Sequence, residues 1–187
     1  MSEHSRVASA PCTLRKAAPG DVDAVTRIWH SGWCDGHIGH VPPELVPHRT
    51  EPQFRARAQA RLDSMWVAES DGGVVGFVTV KADELEHLYV DRSARGSGVA
   101  AMLIHRGEAE IARTGFSRAW LAVVAGNQRA RVFYARLGWR DAGPFTYMAE
   151  TGAGTFPVPS HRYELELDSP GSDQDAAIED TTSRHSR

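Results

Sequence analysis

VDRSARGSGVA, residues 90–100, is the stretch on which the fold turns. It follows the run Glu84–Val90 (ELEHLYV), which reads as a strand. It precedes residues 100–113, where Met102, Leu103, His105, Arg106, Ala109 and Ile111 fall at helical spacings. The order is therefore strand, glycine turn, helix. Gly96 and Gly98 permit backbone conformations that aim successive N–H groups at one point. The positive end of the following helix adds to them, so the turn suits an anion such as a phosphate or pyrophosphate. A nucleoside-triphosphate loop needs Gly-Lys-Ser/Thr, and Gly98-Val99-Ala100 supplies no lysine. Gly96-Ser97-Gly98-Val99-Ala100-Ala101 does match the dinucleotide pattern G-x-G-x-x-A. That pattern should open the first βαβ unit and lead to an acid at the end of the next strand. Here about four strands come first, and Arg118 begins the next one. A strand–helix turn holding nothing is the bland alternative.

Outward from the turn, the hydrophobic period changes repeatedly. Residues 13–17 read as a short strand, and Pro19-Gly20-Asp21 opens a helix that sets Val22, Val25, Ile28 and Trp29 on one face. Residues 31–50, with Gly32, Gly36, Gly39, Pro42, Pro43 and Pro47, read as irregular. Residues 51–62 form an Arg/Ala-rich helix. Strands at 65–70 and 74–81 flank the hairpin turn Asp71-Gly72-Gly73. After the helix at 100–113 come a strand at 119–124, a helix at 128–137, and closing strands at 145–149 and 161–167. The order β-α-α-β-β-β-α-β-α-β-β predicts an α/β layered domain on a mixed sheet.

The chain has 187 residues and a mass of 20.5 kDa, room for one domain. We expect a flexible leader over residues 1–12, the domain over 13–167, and a disordered acidic tail over 168–187, where Ile178 is the only large apolar side chain. A net charge of -3 argues against a nucleic-acid or polybasic membrane binder. No apolar run approaches the roughly 20 residues of a membrane span. The two cysteines, Cys12 and Cys34, exclude a disulfide scaffold and fit a reducing cytoplasm. Cys34-x-x-His37-x-x-His40 has metal-like spacing but one cysteine, so no metal is expected.

The glycine turn has a companion. Arg95-x-x-Gly98-x-Ala100 is followed, across one helix and one strand, by Asn127-x-x-Ala130-x-x-Phe133-Tyr134-x-x-x-Gly138-Trp139. The pair resembles the GNAT superfamily of acyl-CoA-dependent N-acetyltransferases, whose pyrophosphate loop reads Q/R-x-x-G-x-G/A. The resemblance spans roughly residues 13–139 in element order and about fifty residues at motif level. It implies a mixed, mostly antiparallel sheet of about seven strands flanked by about four helices, with acetyl-CoA as cosubstrate. It further implies that the backbone of Leu88, Tyr89 and Val90 pairs with the pantetheine arm, and that a bulge splays this strand from residues 119–124. The Val90 amide would stabilise the oxyanion of the thioester. Arg95, Gly96, Ser97, Gly98, Val99 and Ala100 would hold the pyrophosphate. Asn127, with Ala130 and Phe133 beside it, would contact the cofactor, and Tyr134 would protonate the leaving thiolate. Family members are often dimers, which leaves a homodimer open.

An amine titrates near ~10.4 and needs a base before it can attack. Glu84 is the first choice for that base and Glu86 the second; strict alternation puts both with Leu88 on one face, and Leu85, His87 and Tyr89 on the other. The aromatic, imidazole-rich stretch around Trp29, Trp33, Asp35, His37 and His40 supplies candidates for acceptor contact. Charge divides unevenly along the chain. Residues 92–140 carry nine arginines against two acids, whereas residues 1–91 carry nine bases and thirteen acids. A basic cofactor half and an acidic remainder suit a small cationic amine as acceptor. The expected activity is direct transfer from acetyl-CoA to a primary amine in a ternary complex. A non-catalytic acyl-CoA-binding module and a protein N-terminal or lysine acetyltransferase are the alternatives.

Overall fold

The computed structural model describes residues 12–167, and they divide into strand and helix close to where the hydrophobic period changes. The leader and tail expected at 1–12 and 168–187 lie, Cys12 apart, outside the described residues. Seven strands make one sheet: β1 (Thr13–Lys16), β2 (Met65–Ser70), β3 (Gly73–Lys81), β4 (Glu84–Val90), β5 (Arg118–Val124), β6 (Arg140–Thr151) and β7 (Gly154–Glu166). Their order is β1-β2-β3-β4-β5-β7-β6. Every neighbouring pair is antiparallel except β4 and β5, which run parallel and meet at a single bridged pair, Glu84 with Trp120. Beyond that pair the two central strands part.

Four α-helices cover the sheet: α1 (Val22–His37), α2 (Glu51–Gln59), α3 (Val99–Arg113) and α4 (Gln128–Arg136). Trp29 and Phe54, from α1 and α2, pack on Phe77 of β3 on one face. Leu103, Ile104 and Ile111 of α3 pack on Val78, Leu85 and Leu121 on the other. Because helices lie on both faces, adjacent β3 residues Phe77 and Val78 are both fully buried. The α/β layered reading and the element order are thus observed.

Three local expectations give way. First, α1 does not stop at Ser31 but runs to His37, through Gly32 and Gly36. These glycines are packing sites: a Cβ on Gly32 would stand 2.5 Å from Cδ1 of Tyr89, and one on Gly36 would stand 3.0 Å from Nδ2 of Asn127. Second, the alternation on β4 breaks. Val80 opposes Leu85 and Thr79 opposes His87, so Glu86 is an extra, unopposed residue, a β-bulge. Leu85 and Leu88 therefore face α3, while His87 and Tyr89 pack, tilted, against Trp29 of α1. Third, the closing strands are a long hairpin, despite Pro144, Pro157 and Pro159. Pro144 sits on the outer edge strand β6. The carbonyl of Pro159 accepts from Ala125, just past the end of β5, so the N–H that proline lacks would point where no strand continues.

Candidate active site

The parting of β4 and β5 opens a cavity of about 540 Å³. Its wall on one side is Leu88, Tyr89 and Val90 of β4, and on the other Leu121 to Val124 of β5. Pairing geometry fixes which backbone groups face the gap. Asp91 donates its N–H to Val75 on β3, and the groups of successive strand residues alternate in direction. The N–H and C=O of Val90, and of Leu88 two residues earlier, consequently point away from β3 into the cleft. Arg95 Nε reaches Val90 O from that side at 3.4 Å.

At one end of the cavity lies the glycine turn. Gly96 and Gly98 have φ of +80° and +90°, and a Cβ on either would meet open space. The backbone conformation, not crowding, is what demands glycine there. Gly98 caps α3, whose first intrahelical bond runs from Met102 N–H to Gly98 O; the earlier N–H groups of the first turn have no helical acceptor. The other expected pyrophosphate contacts divide. Gly96, Gly98, Ala100 and Arg95 line the cavity. Val99 turns its side chain into the core, and the Ser97 hydroxyl donates to Ala94 O at 2.6 Å, so neither brings a side chain to the cavity. On the facing helix Asn127, Ala130, Phe133 and Tyr134 all line the space. Asn127 spends its Oδ1 capping α4, accepting from Ala130 N–H at 3.1 Å. Burial raises the Tyr134 phenol well above its ordinary value, so it stays protonated at neutral pH. Its hydroxyl has no partner among the described residues.

The other end lies on the α1–α2 face and carries the titratable groups. Glu84 is pushed up to about 7, first by burial and then by the negative charge of Glu86; Tyr147 donates to its Oε1 at 3.3 Å and pulls the other way. Glu86 has the opposite fate. Burial alone would raise it, but Arg61 binds it in fork geometry at 2.8 and 2.6 Å, and His87 assists. It is held well below the ordinary carboxylate range. His87, buried against Trp29, is lowered to about 4 and stays neutral, bonded to Thr79 Oγ1 and to Arg57. His37 is lowered to about 4 by burial; it stacks on Trp33 and bonds Trp33 O at 3.1 Å.

Trp29, Trp33 and His37 line the cavity as expected, but Asp35 does not. With α1 extended, Asp35 turns to the glycine turn and pairs with Arg92 at 2.7 Å and Arg95 at 2.8 Å. His40 lies over the backbone of Gly126, and among the described residues no three His, Cys, Asp or Glu side chains gather as for a metal.

Arg49, Arg57, Arg61 and Tyr147 also line this end, and the sequence reading passed over them. The one available signal was the i, i+4 spacing of Arg57 and Arg61, although α2 ends at Gln59 and Arg61 lies in the turn just past it. Their presence corrects the charge argument. The acid surplus of residues 1–91 is real, but much of it sits elsewhere: Asp21 pairs with Arg15, Asp35 with Arg92 and Arg95, and Asp91 with Arg27. This end of the cavity is rich in arginine, the reverse of an acidic pocket for a cation. Most arginines of the basic block are likewise ion-paired. Arg106 and Arg113 pair with Glu110, Arg118 with Glu166, Arg131 with Asp141, and Arg140 with Glu164. Arg129, exposed at the cavity rim, makes no ion pair among the described residues.

Comparison with known proteins agrees with this arrangement. The chain is 39% identical over 85 residues to the uncharacterized N-acetyltransferase Rv2669 of Mycobacterium tuberculosis, an alignment covering 43% of this chain and 54% of that protein. It thus spans about half the length of such curated relatives. Among solved structures, a GCN5-related N-acetyltransferase from Rhodopseudomonas palustris superposes with a TM-score of 0.67 at 20% identity, covering 87% of this chain and all of the other. The yncA acetyltransferase of Salmonella typhimurium, solved with its cofactor acetyl-CoA, gives 0.65 at 18% identity over 86% and 96% of the two chains. These structures share the fold of the sheet and its helices. The family model for the GNAT acetyltransferases matches residues 28–139, more than half of the chain and the whole of the split between β4 and β5. The chain belongs to the acetyltransferase (GNAT) family.

Proposed function

We propose that this cavity transfers an acetyl group from acetyl-CoA to an amine by direct attack. The observation that carries the reading is the gap between β4 and β5, with the Val90 amide on its edge, the glycine turn at one end and a half-buried carboxyl, Glu84, at the other. In this reading the first N–H groups of α3 and the turn at Gly96 and Gly98 hold the pyrophosphate, while Leu88 and Val90 pair with the pantetheine arm. That the Salmonella relative holds acetyl-CoA on the same fold supports the choice of cosubstrate.

Glu84 takes a proton from the amine, whose nitrogen forms the new C–N bond at the thioester carbonyl. The Val90 N–H stabilises the oxyanion that results. As the C–S bond breaks, Tyr134 gives its proton to the thiolate. Glu86, already bound to Arg61, is unsuited to proton transfer near neutral pH, which leaves Glu84 as the base.

The test is release of free CoA from acetyl-CoA across a panel of amines. Turnover with at least one amine is expected, and Tyr134→Phe should lower kcat by about 10-fold or more. Tight acetyl-CoA binding with no CoA release from any amine would instead identify a binding module.

A further inference from the structure

The arginines at the acceptor end pose a physical problem. Arg49 is 6% exposed, and among the described residues no carboxylate pairs with it. Its Nη1 donates to two carbonyls, Glu150 O at 3.0 Å and His48 O at 3.3 Å, while its Nε is buried without a partner. Arg57 likewise lacks an acid partner among the described residues. It lies 4.7 Å from the ring centre of Trp29 and bonds neutral His87 at 3.1 Å. Aromatic faces and carbonyls offset part of the cost of burying a cation, but a full countercharge is missing. The acids that line the cavity do not supply it. Glu86 is committed to Arg61, Glu84 is half-neutral near pH 7, and the side chain of Glu150 is exposed. The two guanidinium groups also repel each other, and burial together with that repulsion lowers Arg49 to about 10.

The glycine turn is not the destination of this charge. It lies at the start of α3, which packs on one face of the sheet, whereas Arg57 stacks on Trp29 on the opposite face. Among the titratable groups, one hydrophobic cluster also faces the cavity, through Trp33, Val41, Leu45 and Val158. We infer that the acceptor is an amine that also carries a carboxylate, as an apolar α-amino acid does, with Arg49 and Arg57 taking the carboxylate. A carboxylate matches the planar fork of a guanidinium and supplies the absent countercharge. The amine is then presented to Glu84, and the apolar body lies on Trp33, Val41, Leu45 and Val158. This inference rests on the transferase reading above.

Matched triplets test it: alanine, methionine and phenylalanine, each as free acid, carboxamide and decarboxylated amine, assayed by CoA release. The free acid should show kcat/KM at least about tenfold above its amide and amine, the scale of one charge-assisted hydrogen-bonded pair. In Arg49→Gln and Arg57→Gln that preference should collapse to within about threefold, chiefly through KM for the acid. Equal or better use of amides and amines by the wild type overturns the inference, and that arm needs no variant to fold. If no amine at all releases CoA, the transferase reading fails, and anion binding is judged separately. Trp fluorescence of the wild type, titrated with N-acetylphenylalanine and with its carboxamide, should show tighter binding of the carboxylate. Equal affinity for the two overturns the carboxylate site on its own.

Discussion

At neutral pH Glu84 is poised between its two protonation states, because burial and the adjacent charge of Glu86 raise it from 4.5 to about 7. If Glu84 is the base as proposed, it must be deprotonated to work, and kcat/KM should rise with pH through about 7 and level above it. Glu84→Gln should abolish that limb and lower kcat by about 10²–10⁴-fold. The same shift has a consequence for stability. The native state binds the proton more tightly than the unfolded chain, so the stability it contributes is present below pH 4.5 and is lost as pH rises through about 7. Glu84→Gln should therefore stabilise the fold at pH 8 but not at pH 4, by roughly 1 kcal/mol once solvent screening is allowed for, seen as a higher Tm at pH 8 only. That Glu84 lies on the strand ahead of the glycine turn was legible in the sequence. Arg49 and Arg57 were not. An arginine is ordinarily a surface residue, and only the fold reveals that these two lack an acid to pair with among the described residues.

At the scale of elements, the glycine turn and the β4–α3 junction were written plainly, because left-handed glycines and a helix start have local signatures. The far end of α1 and the bulge in β4 were not, since both depend on what packs against them. Gly32 looks like a helix breaker until Tyr89 is seen pressed against it. Gly32→Ala separates the two effects. Alanine gains about 1 kcal/mol of helix propensity, while its Cβ, at 2.5 Å from the buried Tyr89 ring, forces overpacking that costs about 1–3 kcal/mol. The clash should win, with a Tm several degrees lower in thermal unfolding. Gly20→Ala, where a Cβ meets nothing within 4 Å, should leave Tm unchanged or slightly higher. The bulge at Glu86 has a similar lesson: period-two alternation predicts faces only while the ladder is unbroken. One extra residue moved Leu85 away from His87 and Tyr89.

For the whole molecule, linear charge counting proved a poor guide to the field in the cavity. Ion pairs join much of the arginine-rich block to acids within it and in the rest of the chain, so part of the surplus in the sequence is cancelled in space. Arg129 escapes that cancellation at the cavity rim. Arg129→Ala should raise KM for acetyl-CoA about two- to fivefold with little change in kcat, as for one exposed charge pair, and added salt should narrow the difference. The single bridge between β4 and β5 has another consequence, for the sheet as a whole. It gives the sheet an internal margin, with peptide groups in the middle of the molecule as unpaired as those of an outer strand. Amide hydrogen exchange should expose this. The N–H groups of Leu88 and Val90 should exchange quickly despite their central position, while that of Asp91, held by Val75 at 2.8 Å, should exchange slowly. Saturating acetyl-CoA should slow the first two and leave the third as it was.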